Sequence, residues 1–236
     1  MTEPAAASPP ASRSWWRRLL PELSIHDWPV AIVPVMCAIV FAWQLTQADE
    51  GVALAMVPAA MDGRWWTLIT AIFAHGGWLH IASNLYSCVM IAPWVITRFG
   101  GGLRSVVPFH IFFLLCGIAG NLMFLAIHPH GEVPTLGASG AIYGLAAAVM
   151  RLDPRRHALT PILSRQTLNM IWFFIWTNAL VIVLYGGPVM LLQLFHGQAL
   201  QIPIAWEAHL GGFIAGFVLI QLMAGKGWPR AMEPRG

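Results

Sequence analysis

Residues 136–151 read LGASGAIYGLAAAVMR, and the length of this stretch decides which fold the chain can adopt. From Ser139 to Met150 the run holds twelve small or apolar residues without a charge. As an α-helix it would be about 18 Å long, too short for a hydrocarbon core of roughly 30 Å. Everything around it, however, is composed for a membrane.

Of the 236 residues, 58% are hydrophobic and 10% are charged, and the mean hydropathy is +0.67; soluble domains carry roughly 25% charged residues. Apolar runs recur at about 29–47, 79–97, 105–127, 139–150, 168–186 and 205–223, which predicts six membrane helices. The fold class is therefore an all-α membrane protein, a six-helix bundle whose fourth helix is short and sunken. A basic stretch precedes the first run, but no small-residue cleavage site follows it, so it reads as a retained span. The expected organisation is a cytoplasmic N-terminal tail over 1–28, a membrane domain over 29–224 and a cytoplasmic C-terminal tail over 225–236.

Basic residues accumulate at the cytoplasmic ends of spans. Arg13, Arg17 and Arg18 precede span one, and Arg98 and Arg104 link spans two and three. Arg151, Arg155, Arg156 and Arg165 link spans four and five, and Lys226, Arg230 and Arg235 follow span six. Arg64 alone falls on the opposite side, so twelve of the thirteen basic residues agree with both termini being cytoplasmic. The pI near 9.1 then reflects topology, and no nucleic-acid partner is predicted. Short flanking segments and this charge bias suit a bacterial inner membrane. Residues 48–78 form the longest external connection, with Trp65, Trp66 and Trp78 suited to the membrane interface.

Arg151 and the basic link after it place the lower end of the fourth helix at the cytoplasmic surface. Its upper end, with Ser139, then stops roughly 10 Å below the external surface. The preceding HPHGEVPTLGA, residues 128–138, must dip into the membrane to reach it. Non-helical backbone at that depth requires protein burial or a water-filled cavity.

Costly polar groups lie in the same layer. Span two begins in HGGWLHIASNLYS, residues 75–87, where His80 and Asn84 are four apart and share a face. Span six begins WEAHLGGFIAG, residues 206–216, with His209 one turn in. A serine hydroxyl needs a neighbouring base, which imidazole supplies; an oxyanion needs donors, which His80, Asn84 and the free N–H groups opening span four can provide. Tyr143 is one turn beyond Ser139 and can pack on the base. Glu207 is two residues before His209 and points elsewhere, and the aspartates flank the spans, so a Ser-His dyad is the economical reading. His75 reads as a loop organiser; His110, Asn121 and Asn178 read as packing or interhelical hydrogen bonds; His128, His130 and His196 fall in external segments. Cys37, Cys88 and Cys116 lie within spans as small apolar groups. His-Glu-x-x-His is absent and no cofactor or metal is predicted.

These motifs resemble those of the rhomboid family of intramembrane serine proteases, over residues 29 to 224. The family's Gly-x-Ser-Gly is Gly137-Ala138-Ser139-Gly140, its His-x-x-x-Asn is His80 to Asn84, and its Ala-His-x-x-Gly is Ala208 to Gly212. The resemblance implies Ser139 as nucleophile and His209 as general base, with His80, Asn84 and the Ser139 backbone N–H as oxyanion hole. It implies close contact of span six with span four through Gly212 and Gly216, transmembrane proteins as substrates, and access for them beside span five and an apolar cap near 187–203. Many relatives carry Trp-Arg in the first external loop; this chain has Trp66-Thr67, with Arg64 nearby. The alternatives are a non-catalytic rhomboid-like protein that binds transmembrane clients and, more distantly, a small transporter.

Overall fold

The computed structural model describes residues 25–49, 51–153, 158–196 and 204–223. The basic residues at 13, 17, 18, 155, 156, 226, 230 and 235, and cap residues 197–203, lie outside them. A 3-10 segment, Ile25–Ala31, leads into α1 (Ile32–Gln44). Short 3-10 turns at Val52–Leu54 and Pro58–Ala60 and the single-turn α2 (Thr67–Thr70) fill the first long connection. Then come α3 (Trp78–Arg98), α4 (Gly102–Ile127), α5 (Ser139–Arg151), α6 (Arg165–Val181), α7 (Gly187–Phe195) and α8 (Trp206–Met223). A two-residue ladder, β1 (Leu152–Asp153) against β2 (Ala158–Leu159), is antiparallel and closes part of the link from α5 to α6.

Among the described residues, five helical stretches are long and apolar enough to cross a membrane: Ile25–Gln44, Trp78–Arg98, Gly102–Ile127, Arg165–Leu184 and Trp206–Met223. In lipid only a helix satisfies its own backbone polar groups, so composition and length alone dictate these elements. The sixth predicted span is α5, with 13 residues and a length of roughly 20 Å. The chain is an integral membrane protein built as an all-α bundle.

The short helix is central. Ala141, Leu145 and Ala148 of α5 are fully buried in one cluster with Phe109, Phe112, Phe113 and Cys116 of α4 and Ile220 of α8, while Ala147 packs with Met170 of α6 and Phe213 of α8. The contact with α8 is backbone to backbone. A Cβ on Gly212 would overlap the carbonyl oxygen of Gly140, and one on Gly216 would overlap that of Gly144. Small residues at four-residue spacing on both helices are what allow this approach.

The lower end of α5 is tied to α8. Arg151 is 2% exposed: it donates to the Phe217 carbonyl at 3.0 Å and to Gln221 Oε1 at 2.9 Å, with its guanidinium 4.4 Å above the Phe217 ring. The arginine joins α5 to α8, because its fork can satisfy two acceptors that an apolar neighbour would strand.

Helix α6 is held least. Only 11% of its most apolar window is buried, against 33–44% for the other four spans. Ser164 caps it, accepting from the Thr167 N–H at 3.2 Å. Its upper end passes through a π turn, Ile182–Gly186, straight into α7, so the predicted fifth span and the start of the predicted cap form one continuous run.

The first connection is fastened to the segment before Ser139. Met56 pairs with Thr135 through two backbone hydrogen bonds of 3.0 and 2.8 Å, and the Gly137 N–H donates to the Ala71 carbonyl at 2.8 Å. Arg64 donates to the Ala53 carbonyl at 2.7 Å, while Thr67 is buried and its hydroxyl donates to the Arg64 carbonyl at 2.7 Å. Anchoring of this loop therefore falls to Arg64, three positions before Thr67. Asn121 of α4 donates to the Leu68 carbonyl at 2.8 Å, the interhelical packing role expected of it.

Candidate functional site

The site lies where the first turns of α3, α5 and α8 meet the upper half of α6. Ser139 opens α5 and His209 stands one turn into α8. Because Gly140 and Gly144 admit Gly212 and Gly216, the two side chains reach each other: Ser139 Oγ is 2.8 Å from His209 Nε2. The Tyr143 ring stacks on the imidazole, with centroids 4.4 Å apart and planes at 21°. It is backed in turn by Phe174 of α6, edge-on at 5.6 Å.

His80 and Asn84 face the same cavity of about 640 Å³, which Ser139, Tyr143 and His209 also line. The His80 ring is oriented by the turn before α3: the Gly76 N–H points at Nδ1 at 3.4 Å, leaving Nε2 as the ring's N–H. That nitrogen faces Gly137, where φ is +119° and an added Cβ would fall 2.7 Å from His80 Nε2. Glycine is needed there twice over, for its backbone angle and for the space beside the donor. Asn84 is buried and donates from Nδ2 to the His80 carbonyl at 2.8 Å. The N–H groups opening α5 have no intrahelical partner by geometry and lie alongside.

These groups can pass the serine proton to the imidazole and offer donors to a developing negative oxygen on one carbonyl. The sequence profile of the Rhomboid domain covers residues 62–226, well over half of the chain. The chain belongs to the rhomboid family. Rhomboid protease GluP of Bacillus subtilis (strain 168) is 30% identical over 170 residues, covering 72% of this chain and 28% of that protein. RHOMBOID-like protein 5 of Arabidopsis thaliana is 28% identical over 158 residues, 67% of this chain and 44% of its own length. The chloroplastic RHOMBOID-like protein 11 of the same plant is 29% identical over 166 residues, 68% and 53% respectively. This rhomboid chain spans about half or less of the length of those relatives.

Two polar contacts near the site had no partner assigned by the sequence. Asn178 of α6, expected to pack or to bond across helices, places Oδ1 2.7 Å from His209 Nδ1. Nothing in the sequence singles it out except its cost: a buried amide on an otherwise lipid-facing helix needs a partner. His128, expected in an external segment, has Nε2 2.9 Å from Glu207 Oε1 and ties the end of α4 to the start of α8. Glu207 thus turns away from His209, as its position two residues earlier requires.

His75 is buried just outside the α3 span. Its backbone N–H and carbonyl both pair with the Gln44 side chain, at 2.9 and 3.2 Å, which fastens the end of α1 to the turn before α3. Burial, and secondarily the neighbouring His80, pushes its imidazole down to about 4.

Proposed function

We propose that this rhomboid is an intramembrane serine endopeptidase that hydrolyses peptide bonds in or near transmembrane segments of other membrane proteins. The observation that carries the reading is the 2.8 Å contact of Ser139 Oγ with His209 Nε2 beside a cavity sunk within apolar helices. His209 takes the Ser139 proton as the hydroxyl attacks a scissile carbonyl. The resulting oxyanion receives hydrogen bonds from His80 Nε2, the Asn84 amide and the Ser139 N–H; such donors are worth about 10²–10³ each in rate. His209 then returns the proton to the leaving amine, and water in the cavity, activated by the same imidazole, releases the acyl group from Ser139.

An intact substrate helix shields its carbonyls, so the substrate must unwind locally at the site. The loosely held α6 offers the lateral way in. With the basic links cytoplasmic, as the charge bias favours, the site opens to the external face of a bacterial inner membrane, and residues 29 to 224 form the protease domain between cytoplasmic flanks.

The test is cleavage of a purified single-span substrate by wild type, Ser139→Ala and His209→Ala in proteoliposomes. Cleavage in the wild type alone is expected. Cleavage persisting in both variants would remove the dyad. Substrate binding without cleavage or fluorophosphonate labelling in the wild type would leave the non-catalytic, client-binding rhomboid as the reading.

A further inference from the structure

We propose that Asn178 is a positioning residue that fixes the tautomer and direction of the His209 ring, making the dyad a Ser-His-Asn relay of orientation; this rests on the protease reading above. The amide of Asn178 is itself held. Its Nδ2 donates to the Phe174 carbonyl at 2.9 Å, which leaves Oδ1 as the atom facing His209 Nδ1 at 2.7 Å. An amide oxygen can only accept, so His209 Nδ1 carries the hydrogen. In a neutral imidazole Nε2 is then bare, and Nε2 is the atom 2.8 Å from Ser139 Oγ. The ring is thereby set to receive the serine proton before substrate arrives.

His80 is set the opposite way. Its Nδ1 faces the Gly76 N–H and its Nε2 is the donor toward Gly137. Two histidines in one cavity are thus locked in opposite tautomers, one to accept from serine and one to donate to an oxygen. Neither assignment needs a charge, which suits a site within the bilayer, where a buried carboxylate is costly.

Ordinary interhelical glue would not account for the location. Met170 and Asn178 are the buried residues of α6, and Met170 supplies the apolar packing against Phe213 and Ala147. Asn178 instead meets the one atom of α8 whose protonation decides whether Nε2 is a base. During acylation the imidazole becomes doubly protonated at Nε2 and Nδ1, and Asn178 keeps the Nδ1 hydrogen bond throughout without taking the proton. Removing the acceptor frees the ring to rotate or to adopt the tautomer in which Nε2 carries the hydrogen and cannot act.

The experiment combines kinetics with ¹⁵N NMR of the His209 ring in wild type, Asn178→Leu, which keeps the branched shape without the acceptor, and Asn178→Asp, which keeps the acceptor. Wild type is expected to show Nδ1–H and a bare Nε2. Asn178→Leu should lose that preference, with kcat falling about 10- to 100-fold, KM within about twofold and fluorophosphonate labelling slowed in parallel. Asn178→Asp should recover most of the kcat, with the acid limb of its pH profile moved to higher pH because a carboxylate favours the imidazolium. Asn178→Ala serves if the leucine variant does not fold. Wild-type kcat and an unchanged ring in Asn178→Leu or Asn178→Ala would overturn the proposal, as would a wild-type ring protonated at Nε2. The NMR readout stands without turnover: if wild type cleaves nothing, the protease reading fails, while the ring still decides the role of Asn178.

Discussion

The backbone of Gly212 sits directly against the carbonyl of Gly140, leaving no room for a Cβ between α8 and α5. Gly212 is three residues past His209 and Gly140 follows Ser139, so this contact sets the 2.8 Å separation of the two side chains. Gly212→Ala must push the helices apart at the proposed Ser139–His209 dyad. A displacement near 1 Å costs about 10²-fold in rate. Gly216→Ala forces the same separation one turn lower, against Gly144. It is expected to lower stability by about 1–3 kcal/mol with a smaller loss of cleavage per folded molecule. Thermal unfolding in detergent and cleavage assays on both variants separate these outcomes; equal activity losses would place the two contacts on one rigid body.

Tyr143 meets His209 through its ring face, 4.4 Å between centroids. Stacked aromatic contacts are worth about 0.5–1.5 kcal/mol. Tyr143→Phe keeps the face and should retain kcat/KM within about threefold, whereas Tyr143→Ala should lose about tenfold, in line with that energy. A phenylalanine variant as impaired as the alanine one would assign the role to the hydroxyl instead of the ring.

The spans, the short fourth helix and the convergence of Ser139, His80, Asn84 and His209, which line one cavity, were legible in the sequence. Length fixes depth in a membrane, and uncompensated polar groups there are few. Asn178 was visible as a cost but not as a partner, because its bond to His209 joins residues 31 apart in sequence, on helices whose relative rotation no local pattern specifies. The partners of Arg151 were hidden for a related reason. Charge at a span end predicts the membrane side, yet the side chain's direction depends on two acceptors, Phe217 and Gln221, on another helix. The π turn at Ile182–Gly186 carries no composition signal of its own, so the continuity of α6 with α7 emerges only from the structure.

Arg151 predicts a stability effect without a catalytic one. Arg151→Met strands the Phe217 carbonyl and Gln221 and forfeits the contact over the Phe217 ring, a cost of about 2–3 kcal/mol for charged hydrogen bonds. Arg151→Lys recovers only part of it, since a single ammonium cannot span both acceptors in the fork geometry. Ser139 stands at the opposite end of α5, so cleavage per folded molecule should remain near wild type. Thermal midpoints ordered wild type above Lys above Met, with unchanged specific activity, are expected; an activity loss tracking the midpoint would show that α5 transmits the defect along its length.

His75 predicts how stability responds to acid. Its imidazole is pushed down to about 4 from an ordinary 6.5, mainly by burial and then by His80. Between those values the unfolded chain binds a proton that the folded chain does not, so stability rises with pH across the window and is complete above about 6.5. At pH 5 the loss from this one group is roughly 2 kcal/mol. Protonation would also charge a ring packed edge-on to His80 at 5.1 Å, on a turn whose backbone Gln44 clamps at 2.9 and 3.2 Å. His75→Gln has no such proton to bind. Its midpoint will be offset from wild type at every pH, but its fall between pH 7.5 and pH 5 should be shallower, by roughly 5 °C. Parallel curves for the two proteins would assign the acid sensitivity to another group.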